Sequence, residues 1–362
     1  MPTLKALWKP LAAVDALQLQ RSSQALAVAN GKAYLFGGEL KPRTPVDAAV
    51  TEVDLTDNSN PTLSPPSPAT ANTPWPSARV GHTLTASGDK LYLWGGRGGK
   101  DMGTVESSSS LWAFEPATGM WEEMQTTGEV PEARSFHTMT AVGNNLYLHA
   151  GCPASGRLST LHALALDTLV WSSLPSAPEP GRGGTVLEAL PSLSTASAAP
   201  LLARFGGFAG YELGGLDVFS VSERKWTAVD DVEVIGGGEG PGKRSVHALV
   251  GLDGKISWEG KTVVAVLALG EREGAPKELG HDGAGFFHND AWALLASPSP
   301  SGALPAFSWL RLDPSSQSQG RPEARGWFAS AAWEGKVVLQ GGLNAKNERL
   351  SDGWTLEVVV DE

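Results

Sequence analysis

Apolar residues along this chain gather into strand-sized runs, and the same run recurs with a pair of small residues at its end. The copies are AYLFGG at 33–38, LYLWGG at 91–96, LYLHAG at 146–151, LARFGG at 202–207, VLALG at 266–270 and VVLQGG at 337–342. The pairs begin at 37, 95, 150, 206, 269 and 341, in steps of 58, 55, 56, 63 and 72 residues, so one supersecondary unit is used six times. In each unit an Arg opens an apolar strand before the small-pair strand: Arg21, Arg79, Arg134, Arg182, Arg244 and Arg325. A third strand follows the pair, as in SLWAFEP at 110–116 or TLHALAL at 160–166. Most units then carry a fourth strand marked by a Trp, at Trp121, Trp171, Trp226 and Trp309.

Four short strands per repeat make a blade, and six blades make an all-β propeller. The last unit has only three strands, at 325–333, 336–341 and 353–360. The N-terminal LWKPL at 7–11 carries Trp8 in the fourth-strand pattern and completes that blade, which closes the ring. The expectation is therefore a single six-bladed domain over residues 1–362. Core packing between blades is the better account of the fourth-strand Trp residues, whereas Trp75, Trp258, Trp327 and Trp333 lie outside that slot and are expected to be partly exposed.

Composition agrees with many tight turns: 43 residues are Gly and 25 are Pro, with 41% hydrophobic residues for a core. A net charge of −11 without a basic run argues against nucleic acid. The longest apolar stretch, Thr262 to Leu269, falls far short of the ~20 residues that span a bilayer, so no membrane segment is expected. One cysteine, Cys152, and an N-terminus without the pattern of a secretory signal suggest a cytoplasmic location.

The units resemble the kelch repeat, most clearly in SARVGHT at 77–83 and EARSFHT at 132–138. Antiparallel pairing brings the repeat arginines and the residues just after each small pair to one mouth of the channel. Those residues are Glu39, Arg97, Cys152, Phe208, Glu271 and Leu343. A ring of guanidiniums there suits an anion, while backbone or acidic partners in the neighbouring blade are the structural alternative for each Arg. The position three after the Arg reads Gln24, His82, His137, Thr185, His247 and Phe328, a mixture that favours packing over chemistry.

The fifth-unit loop, GEREGAPKELGHDGAGFFHND at 270–290, is the most chemically crowded segment. Imidazole with carboxylates is a set suited to Fe(II). The loop resembles that of the nitrile-specifier and thiocyanate-forming branch of kelch proteins, which act on the unstable aglucones of glucosinolates. The resemblance implies Glu271 as first Fe(II) ligand and His281 as last, with Glu278, or Glu273, as the carboxylate between them. It further implies that Arg79 and Arg134 contact sulfate. Three functions follow as expectations: an Fe(II)-assisted lyase or isomerase acting on a small anionic metabolite, a non-catalytic module binding a protein across the same face through aromatics such as Trp327, Phe286 and Phe287, or a metal-free biosynthetic enzyme using the same pocket.

Overall fold

The computed structural model describes residues 3–11, 19–56, 62–63, 74–105, 109–193, 200–276, 278–279, 283–297 and 304–361. Among the described residues, six sheets of four or more strands follow one another along the chain, antiparallel except for a two-residue outer strand that joins three of them in parallel. The second is typical: Thr83–Ser87, Lys90–Trp94, Ser110–Glu115 and Met120–Gln125, each paired with the next. In the first sheet the fourth strand is only Thr62–Leu63, within the Pro-rich segment where the pattern lacks its Trp. The inner strand of each sheet lies beside those of its two neighbours, so the six stand around a common axis as a propeller. In the last sheet the N-terminal Thr3–Pro10 pairs antiparallel with the C-terminal Gly353–Asp361, from Thr3 opposite Asp361 to Pro10 opposite Trp354.

Two rings of backbone hydrogen bonds tie the sheets together. The second residue of each small pair donates to the carbonyl of the next unit's Arg, from Gly38 to Arg79 at 2.9 Å round to Gly342, which reaches Arg21 at 2.9 Å. Only a left-handed turn lets the pair do this: Gly37 and Gly38 have φ of 67° and 93°. A Cβ on Gly37 would meet the Arg79 carbonyl and the His82 ring, which is why the slot favours the smallest residue.

The fourth-strand tryptophans join neighbouring blades. Phe36 meets Trp121 of the next blade at 5.4 Å, Trp94 meets Trp171 at 6.2 Å and Phe205 meets Trp309 at 5.6 Å, all edge-on. Each such contact contributes about 0.5–1.5 kcal/mol beyond area burial. The same second-strand aromatics take the histidines three after the Arg: His82 on Phe36, His137 on Trp94 and His247 on Phe205. Burial, and then the charge of the adjacent repeat arginine, keeps these three imidazoles neutral. They are interblade packing, as their mixed slot suggested. Trp75, Trp258, Trp327 and Trp333 are all partly exposed.

Candidate functional site

The first residue after each small pair pairs with the residue after the repeat Arg, for example Cys152 with Ser135 and Glu271 with Ser245. This short bridge lifts the following loop over the channel. A cavity of about 620 Å³ opens there, and its wall includes all six residues of that slot, Glu39, Arg97, Cys152, Phe208, Glu271 and Leu343.

The repeat arginines are elsewhere. Arg21, Arg79, Arg134, Arg182, Arg244 and Arg325 are 0–4% exposed and none lines the cavity. Each donates through Nη1 to the carbonyl of the first small-pair residue in its own blade, as Arg79 does to Gly95 at 3.2 Å and Arg134 to Ala150 at 2.9 Å. Their Nε atoms reach back two residues, to Ser77 and Glu132. Arg244 and Arg325 add ion pairs to Asp290 at 2.8 Å and Asp352 at 2.6 Å. The expected sulfate contact from Arg79 and Arg134 is thus corrected: a left-handed small pair leaves carbonyls that need donors, and these guanidiniums supply them. Burial lowers the Arg134 pKa to about 10, which fits a cation spent on backbone oxygens.

The cavity has its own cations. Arg97 donates from Nε to Ser135 Oγ at 2.7 Å and stands 5.9 Å over the Phe136 ring. Arg157, exposed on the third-blade loop, lies 4.8 Å over Phe208. Aromatic faces hold both side chains while leaving donors to a ligand. Arg349 is different, because Glu39 across the wall takes it at 3.2 Å. Cys152 is partly buried, and burial raises its thiol pKa against the pull of Arg157 and Arg97, which disfavours a thiolate nucleophile.

On the opposite wall Glu271 is 8% exposed, and burial followed by the charge of Glu212 raises its pKa to about 8, despite a backbone hydrogen bond from Gly285. Glu212 comes from the fourth blade; burial raises it too, and its Oε1 has no hydrogen-bond partner among the described residues. Two crowded carboxyls with an orphaned oxygen suit a hard cation that takes oxygen donors. Of the ligands implied by resemblance, Glu271 is in the cavity wall, Glu278 is exposed and outside the lining, and His281 lies outside the described residues. Among the described residues no three of His, Cys, Asp and Glu form a metal-sized group.

Of the aromatics expected at the rim, Phe286 is 49% exposed, whereas Phe287 is buried and Trp327 lies at the cavity floor. Arg157, Glu212 and Phe136 were not singled out from sequence. Phe136 sits two residues after its repeat Arg, a regular slot that offered a signal; Arg157 and Glu212 lie on loops with no repeating position.

A family model described as the KLHDC2/KLHL20/DRC7 Kelch-repeats domain matches residues 23–260. The N-(sulfonatooxy)prop-2-enimidothioate sulfolyase of Thlaspi arvense is 28% identical, covering 93% of this chain and 92% of its own length. The Rab9 effector protein with kelch motifs of Xenopus laevis is 38% identical over 25% of this chain and 24% of its own. Among solved structures, YjhT superposes with a TM-score of 0.65 at 14% identity, covering 96% of this chain and 99% of that one, a likeness of fold.

Proposed function

We propose that this chain, which belongs to the KLHDC2/KLHL20/DRC7 Kelch-repeats domain family, binds a small organic anion in the mouth cavity and acts on it as a sulfolyase-like enzyme. The observation that carries this reading is the pair of guanidiniums, Arg97 and Arg157, held over aromatic faces on one side of a cavity of about 620 Å³. The relative matched along most of the chain is named for removing sulfate from an N-sulfonatooxy imidothioate. In such a loss the N–O bond breaks, sulfate leaves with both electrons, and nitrogen regains a pair as the organic group on the imidothioate carbon migrates to it with its bonding electrons. The protein's part is to hold the sulfate and stabilise the charge that grows on it, which two preset guanidinium forks do. A carboxyl such as Glu271, pushed up to about 8, is neutral at pH 7 and does not repel the anion.

The iron-assisted form of this reading adds a divalent ion on Glu271 with His281, and a further carboxyl from Glu278 or, by proximity, Glu212. Bound there, the ion would supply Lewis-acid charge on the wall facing the arginines. The test is to supply a freshly generated N-sulfonatooxy imidothioate and follow sulfate release and the ratio of organic products. The protein should change both, and Arg97→Ala with Arg157→Ala should lower kcat/KM at least about tenfold, the loss expected for charge-assisted hydrogen bonds. Rates and products equal to those without protein would overturn the reading.

A second reading, a protein partner across the mouth, is favoured by exposed Leu40, Tyr211, Leu279 and Phe286 on the surrounding loops. Tyr211→Asp with Phe286→Asp separates the two, since it should abolish protein binding and leave sulfate release intact.

A further inference from the structure

Two residues beyond each repeat Arg the backbone turns left-handed in every blade: Ser23, Gly81, Phe136, Gly184, Val246 and Trp327 have φ between 46° and 62°. Each of these residues donates its N–H to the carbonyl of its counterpart in the preceding blade, at 2.7–3.1 Å, and the last bond, Ser23 to Trp327, closes the circle. Backbone geometry alone would favour glycine at all six positions. Two are glycine and one is serine; the other three are Phe, Trp and a β-branched Val, which at positive φ cost roughly 1–3 kcal/mol each. Side chains kept at that cost have a task at this spot.

Their placement shows the task. Phe136 and Trp327 meet edge-on at 5.4 Å, and the Phe136 ring lies against Gly81, where a Cβ would meet it at 2.8 Å. Above this contact is the mouth cavity; below it is a second space of about 120 Å³, and Phe136, Val246 and Trp327 line both. The three side chains are a septum across the channel axis.

We infer that Phe136 and Trp327 are specificity-determining residues: they set the depth of the mouth cavity and so the length of the apolar part that an anion held by Arg97 and Arg157 can carry. The inference rests on the small-anion reading above. A ligand anchored by its sulfate at the rim points its apolar end down the axis, and each methylene buried there strengthens binding about fourfold until the chain meets the septum. Beyond that length further methylenes have nowhere to go. Opening the septum joins the lower space to the cavity and extends the tolerated length.

The experiment is calorimetric titration with n-alkyl sulfates from butyl to decyl, below their micelle-forming concentrations, against the full chain and against Phe136→Gly, which removes the ring and relaxes the backbone. Phe136→Leu and Trp327→Phe serve as milder variants if the first does not fold. The full chain should gain affinity with length and then level off, and the variants should level off at longer chains; the Phe136 variants should also bind every member of the series more weakly, because Arg97 loses the ring it stands over, whereas Trp327→Phe leaves that ring in place. The same levelling point in all proteins, whether or not the whole series is weakened, overturns the septum inference and leaves the anion reading standing. Absence of binding by any alkyl sulfate to the full chain overturns the anion reading and the inference with it.

Discussion

Two sets of arginines surround the same mouth and do opposite work. The six repeat arginines are buried and committed to carbonyl oxygens and, in the fifth and sixth blades, to Asp290 and Asp352. Arg97 and Arg157 lie a few residues past the small pairs, over aromatic faces in the cavity wall. Residue type does not separate the sets. What separates them is whether the backbone nearby has unsatisfied acceptors: the left-handed small pair leaves carbonyls pointing inward, and a guanidinium with five donors is consumed by them. A cation remains available to a ligand where its surroundings take only part of its donors, as at Arg97, which gives Nε to Ser135 Oγ and Nη2 to the Cys152 carbonyl.

Arg244→Ala attacks that contrast hardest. It strands the Leu269 carbonyl and leaves Asp290, bonded twice to Arg244 at 2.8 and 3.0 Å, without its cation. Removing one partner of a buried pair costs about 3–5 kcal/mol, read as a lower denaturant midpoint. Arg97→Ala with Arg157→Ala should cost about 1–2 kcal/mol in the same assay, since two cross-blade hydrogen bonds of Arg97, to Ser135 Oγ and the Cys152 carbonyl, and two cation–aromatic contacts are lost. If instead Arg244→Ala leaves stability intact and abolishes anion binding, the two sets have been assigned the wrong way round.

The repeated features were legible in the sequence and the singular ones were not. Small pairs, opening arginines and Trp strands recur six or nearly six times, so a backbone role that needs one residue type shows as a period. The slot after each pair was legible for the same reason, and all six of its members line the cavity. The roles of Arg79 and Arg134 were misplaced because a ring of cations looks like a binding site until the carbonyls are counted, and carbonyls have no sequence signature. Arg157 reaches the cavity from a loop of irregular length, and Glu212, also on such a loop, lies near Glu271 but outside the cavity lining. The septum escaped because a left-handed slot is recognisable by glycine, and here only Gly81 and Gly184 keep it.

The opposite wall offers the next test, because a cation there would invert its chemistry and set a metal against the guanidiniums. Anaerobic Fe(II) at a hundred times its dissociation constant should stabilise the protein by about 2.7 kcal/mol, read as a rise in Tm that a chelator reverses. Glu271→Gln and His281→Ala should each remove the rise. A weaker rise in Glu212→Gln, whose Oε1 is orphaned, would assign the further carboxyl to Glu212, and a weaker rise in Glu278→Gln would assign it to Glu278. No rise in the full chain would leave the arginine side as the sole chemistry of the cavity.

The contrast between paired and unpaired groups extends to carboxyls, with a smaller effect. Burial pushes Asp290 and Asp352 up, yet the hydrogen bonds and charges of Arg244 and Arg325 prevail and hold both below the usual carboxylate range. Among the described residues no such arginine acts on Glu188. It lies on the inner strand Val186–Ala189, two residues from Val186, which lines the space under the septum. Burial raises its pKa to about 8, against a backbone hydrogen bond from Gly251. A carboxyl raised in the folded state keeps its proton when the unfolded chain has already released it. Its contribution to stability is therefore complete below about pH 4.5 and is lost as pH rises towards 8. Glu188 is partly exposed, so channel water screens it and the loss is about 1 kcal/mol. Unfolding curves at pH 5 and pH 8.5 should show the full chain losing stability with rising pH and Glu188→Gln losing less. An equal slope in the two proteins would mean that water in the channel already solvates the carboxylate, and that an unpaired charge beneath the septum costs the fold nothing.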